Sequence, residues 1–251
     1  MSSIIILQGT TELASEAETL FHVFGEHQTL VCDTDRRGQE SPGSTSPLDL
    51  AVDASEGFIP LWAKGTVLRW RIQKRGLSDF VDPVSVVHAV RTLLGEAIVA
   101  WGDAVPIKFT ENDDVWDFEI VVRNSNNCHI NGCVLASAFF PDAGRHEFVV
   151  YPKMFEQSRK EQIDTFIHET GHIFGLRHFF ANISEKKWPA EIFGKHHPFS
   201  IMNYGAESEL TEADKDDLKQ LYESAWSGKL TDINGTPIRL VQPYHLSGLP
   251  M

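Results

Sequence analysis

The sequence predicts an α+β fold, a twisted mixed β-sheet packed against helices, and three observations carry that expectation. Residues 67–72 alternate, with Leu68, Trp70 and Ile72 on one face and Arg69 and Arg71 on the other, which is the period of a strand. Val87, Val90, Leu94, Ala97, Ile98 and Trp101 recur at helical spacing, and two more helical patterns follow at 159–174 and 211–226. Between the first and second helices lie three short apolar runs of strand type, at 118–122, 134–140 and 148–151.

Residues 1–57 differ from the rest. They include a polar stretch at 33–47 rich in turn formers, and are expected to be an N-terminal arm or extension. The compact domain is expected to begin at Phe58 and run to residue 251, with a C-terminal tail from about residue 227. Asp82 and Pro83 open the first helix as N-cap and first helical residue, and Gly102 ends it. The Asn-rich stretch 124–132 is read as a loop, and Pro152 follows the last run of the strand series. In the second helix Ile163, Phe166, Ile167, Thr170 and Phe174 form the buried stripe. Thr211 starts the third, with Asp214 at the capping-box position and Leu218, Leu221, Tyr222 and Ala225 on its apolar face.

Composition narrows the partners. With 16 Phe and 6 Trp the chain can build a sizeable core, and a formal charge of −13 disfavours nucleic-acid backbone and anionic membrane. No stretch approaches the ~18 apolar residues of a membrane span. The run at residues 4–7 is too short for a signal h-region and has no Lys or Arg before it. The chain is therefore expected in the cytoplasm or exported without a signal peptide, unless a leader is missing, and as a monomer. Of three cysteines, Cys128 and Cys133 are close enough to bridge one loop or to stay as free thiols, which leaves Cys32 unpaired.

The chemistry lies in His168, Glu169, His172, Gly175 and His178. Positions i and i+4 share a helix face, so His168 and His172 can converge on one ion. Gly175 accepts the positive φ of a turn that brings His178 back to it. Three neutral imidazoles leave a fourth position open, as in catalytic rather than structural sites, so one catalytic Zn2+ is expected. Glu169 follows a ligand directly, where it reaches water without displacing it. No second ligand set is evident; His129 and His146 are the histidines nearest the strand series.

This eleven-residue pattern resembles that of the metzincin zinc metallopeptidases, and within them the matrixins. Residues 68–72 are similar to the matrixin first strand, 101–109 to its helix-to-strand passage, 134–141 to its substrate-binding edge strand and 210–222 to its last helix, so the resemblance spans Trp62 to Tyr222. It implies an endopeptidase that hydrolyses peptide bonds by a zinc-bound water with Glu169 as general base. It also implies that extended substrate lies along Leu135, Ala136, Ser137, Ala138 and Phe139 by strand addition. The alternative is a zinc-binding regulatory or self-processing module without general turnover.

Ser200 to Gly205 resembles the Met-turn, with Met202 beneath the metal. Tyr204 follows it by two, as in astacins and serralysins, which implies a further zinc ligand that swings away to stabilise the transition state. The last-helix resemblance implies that Asp214 ties that helix to the Met-turn. The chain departs from matrixins in having Ser137 where a structural-zinc histidine is usual, and in lacking their calcium loops. The prosegment motif is also missing, so a Cys32 or Asp33 latch on the zinc is the lesser reading beside an ordinary cysteine.

Overall fold

The computed structural model describes residues 30–31, 50–54, 57–129, 132–178, 190–193, 200–202 and 208–247. At its centre is a five-stranded mixed sheet of β4 (Val67–Ile72), β5 (Lys108–Glu111), β6 (Phe118–Val122), β9 (Ala136–Ser137) and β10 (His146–Val150). Their order is β5-β4-β6-β10-β9. The first four run parallel, and β9 closes the edge antiparallel to β10, with Ser137 opposite Val149 and Ala136 opposite Val150. The alternation in β4 reappears as burial, with Leu68, Trp70 and Ile72 inside. All five residues of the inner strand β6 are buried, as expected of a parallel strand covered on both faces.

Among the described residues four helices accompany the sheet: α1 (Pro83–Trp101), α2 (Pro152–Phe155), α3 (Arg159–Ile173) and α4 (Glu212–Trp226). The Asp82 carboxylate accepts from the Ser85 N–H at 3.0 Å and caps α1, whose Val90, Leu93, Leu94, Ala97 and Trp101 enter the core. By length and composition the helical stretch Pro83–Ala104 is apolar enough to cross a membrane. That qualifies the sequence reading; one side of the helix packs against α3, while Val84 and Val99 are exposed. Ser158 caps α3, and Thr211 with Asp214 forms the capping box of α4.

Three small sheets differ from the sequence reading. The run 134–140 is not one strand. β8 (Gly132–Val134) turns back on β7 (Asn127–His129) as a hairpin inside the expected loop, joined by a Cys128–Cys133 disulfide, and the chain enters β9 after Leu135. β1 (Leu30–Val31) runs parallel to β8. Within the expected N-terminal arm, β2 (Leu50–Asp53) lies between β11 (Leu176–Arg177) and β12 (Ala190–Phe193), antiparallel to both, with Val52, Asp53 and Ala54 buried. Within the expected tail, β13 (Asp232–Ile233) and β14 (Thr236–Val241) form a hairpin, and β14 pairs parallel with β3 (Ile59–Trp62). Its turn is Asn234–Gly235, both at positive φ, the hairpin signal that the sequence reading passed over. The tail then anchors through His245, whose backbone N–H and Nδ1 contact the buried Asp117 carboxylate at 2.9–3.0 Å.

Candidate metal centre

α3 carries two of the three histidines, and its last turn is held by two side chains from elsewhere in the fold. A helix leaves its final carbonyls without internal donors. Here the Trp62 indole Nε1–H donates to the Ile173 carbonyl at 2.7 Å, and the buried Tyr222 hydroxyl donates to the Phe174 carbonyl at 3.0 Å. Burial pushes the Tyr222 phenol well above its ordinary range, so it remains a donor. Gly175 then turns the chain at φ 91°, and its N–H donates to the His172 carbonyl at 2.8 Å. A Cβ at Gly175 would also stand 3.3 Å from the Pro60 carbonyl oxygen. β11 follows and delivers His178.

The three imidazoles meet. His168 Nε2 lies 3.0 Å from His178 Nε2 and 3.1 Å from His172 Nε2, and all three rings are buried. Among the described residues they form the single cluster of three metal-capable side chains. Their tautomers follow from their other partners. His168 Nδ1 is 2.7 Å from the Ile201 carbonyl oxygen, and His172 Nδ1 is 2.7 Å from that of Leu176. A carbonyl only accepts, so each Nδ1 carries the proton, and in the neutral ring that metal binding requires each Nε2 presents a lone pair. Two lone pairs at 3.1 Å repel unless a cation lies between them. Tetrahedral nitrogens at 2.0–2.1 Å from one zinc stand roughly 3.3 Å apart, so the spacing and the donor set both fit that ion. The two carbonyls act as the outer partners that fix ligand tautomer and ring orientation.

The surroundings match the other expectations unevenly. Glu169 is buried directly beside His168 on α3. Met202 is buried against the same helix, so near Gly171 that a Cβ there would collide with its Sδ. Gly171 is a site residue absent from the sequence-derived candidates; a glycine between two helical histidines, low in helix propensity, is the local signal for it. Asp214 is buried, and its carboxylate accepts from the Ser200 hydroxyl at 2.6 Å and from the Thr211 N–H at 2.9 Å. The Ser200 oxygen in turn accepts from the Met202 N–H at 3.1 Å. Tyr204, Cys32 and Asp33 lie outside the described residues.

Of the substrate-strand residues, Ala136 and Ser137 form the edge strand of the main sheet. The side chains of Leu135, Ala136, Ala138 and Phe139 are buried. Phe139 stacks on His146 at 4.3 Å and lies 5.2 Å from Phe118. These side chains build the core.

The profile of a peptidase family described as matrixin matches residues 61–223, well over half of the chain. No curated protein sequence matches. Among solved structures, the chain is similar to one titled "Structure of myroilysin", at 14% identity and a TM-score of 0.45, over 68% of this chain and 98% of that one. The family match covers α3, β11 and His178, and so all three histidines, and matrixins are zinc enzymes. The chain therefore belongs to the matrixin family and is a zinc metalloendopeptidase with a metzincin-type catalytic domain.

Proposed function

We propose that His168, His172 and His178 hold one catalytic Zn2+ and that Glu169 is the general base for hydrolysis of an extended peptide. The observation that carries this is the pair of fixed tautomers, which aim the Nε2 lone pairs of His168 and His172 at one point beside His178. Zinc in a three-imidazole site supplies Lewis acidity toward water and the scissile carbonyl. Glu169 takes the proton from the attacking water and delivers it to the leaving amine. Its burial keeps competing solvent away from that carboxylate. The peptide lies along β9, the sheet edge, and is bound through its main chain, so the enzyme accepts unfolded or loop segments. Met202 supports α3 from beneath, and Gly175 shapes the turn to His178. Tyr204 donates a hydrogen bond to the oxyanion.

Elemental analysis combined with a fluorogenic peptide library tests the reading. The expected result is one zinc per chain and hydrolysis within the library. Two or more equivalents would defeat the single site. One equivalent with no turnover would favour a regulatory or self-processing module.

A further inference from the structure

Two of the three clustered imidazoles are oriented by carbonyls close at hand. The turn that carries His178 is held from farther away, by a strand that enters from the N-terminal side and lies outside the family match. β2 pairs antiparallel with β11, Val52 opposite Leu176 and Ala51 opposite Arg177. The Asp53 N–H donates to the carbonyl of Gly175 at 3.0 Å, at the residue where the chain turns. The Asp53 carboxylate lies 3.6 Å from Nη1 of Arg177, the neighbour of His178, with the two side chains 3% and 0% exposed. The Arg177 guanidinium also lies over the Phe140 ring at 5.5 Å, and that ring meets His172 edge-on at 5.5 Å. A charge pair sealed from water is little screened, and removing one member strands the other as a buried charge.

We propose that Asp53 is a positioning residue for the metal centre: through Arg177 and the Gly175 carbonyl, β2 holds residues 175–178 so that the third imidazole faces the other two before zinc arrives. The inference rests on the three-histidine zinc site proposed above. It makes residues 50–54 part of the catalytic scaffold.

Hydrogen exchange on the full chain tests it without any substitution. On chelation the Asp53 amide and residues 175–178 should lose no more protection than the core amides of β6, whose loss reads only the fall in global stability. A loss confined to Asp53 and 175–178 would overturn the proposal, because the metal would then be doing the holding. A second arm replaces both charges, D53L with R177M, which avoids leaving either one buried alone. Zinc competition against a chelator should read ~10–100-fold weaker binding, the usual effect of losing an outer partner. The ligand-field bands of the cobalt-substituted protein should shift as well, while the melting temperature of the metal-free protein should not fall. Zinc binding within about threefold of the unaltered chain, well short of that usual effect, would overturn the positioning role. Failure of the unaltered chain to take up zinc would instead sink the three-histidine reading itself.

Discussion

The Ser200 hydroxyl donates to the Asp214 carboxylate at 2.6 Å, and the same hydroxyl oxygen accepts from the Met202 N–H at 3.1 Å. This joins the first turn of α4 to the turn beneath the histidines. Asp214→Asn replaces an all-acceptor group with one that faces Ser200 through either an oxygen or an amide, while Thr211 still presents two donors. One buried donor is then left without its acceptor, at about 1–3 kcal/mol. Denaturant titration of the zinc-loaded protein should record that loss. Unchanged stability and zinc content would mean that the carboxylate is a helix cap and nothing more.

Gly171→Ala places a methyl group against Met202 Sδ, inside contact distance and in a buried setting. Overpacking of this kind is expected to destabilise by about 1–3 kcal/mol. Pairing it with Met202→Ala should recover part of the loss, since the two substitutions share one space. Additive effects in that double-mutant cycle would show that helix and turn do not press on each other in solution.

Glu169→Gln keeps size and loses basicity. Turnover should drop by ~10²–10⁴-fold, with zinc content unchanged. Equal loss of zinc and activity would assign Glu169 to holding the site, and unchanged turnover would move the base elsewhere.

Tyr204→Phe removes a proposed oxyanion donor and is expected to lower kcat by ~10²–10³-fold, with KM nearly constant, because the bond forms mainly in the transition state. A near-normal kcat would make Tyr204 a packing residue.

Tyr222 sets an alkaline limit. Its phenol is held protonated by burial, well above the ordinary tyrosine value of 10.0. A group whose folded pKa is raised contributes stability that is complete below the unfolded pKa and is lost as pH rises toward the folded one. Stability should therefore begin to fall near pH 10.0. In an absorbance titration this phenolate should appear only together with unfolding. Its ionisation in the still-folded protein would contradict the burial argument.

The sequence by itself determined the local features. The alternation of β4, the stripes and caps of α1, α3 and α4, and the spacing of His168, Glu169, His172 and His178 each depend on neighbours within one or two turns. The same holds for the Thr211–Asp214 capping box, because a side chain three residues along a helix is always within reach. The contacts between distant segments were decided only by the tertiary structure. Nothing in 50–53 marks it as a strand between β11 and β12, since its pairing partners lie more than a hundred residues away. Likewise 134–140 carries one apolar run, yet it serves two sheets because β8 finds β7 and β9 finds β10. Tyr222 reads as part of an apolar helix face and Trp62 has no local role in the pattern; their donation to the C-terminal end of α3 exists only once β3 and α4 close over it. Hydrogen bonds and burial between remote segments follow from where the backbone is brought, and no local period of the sequence records that.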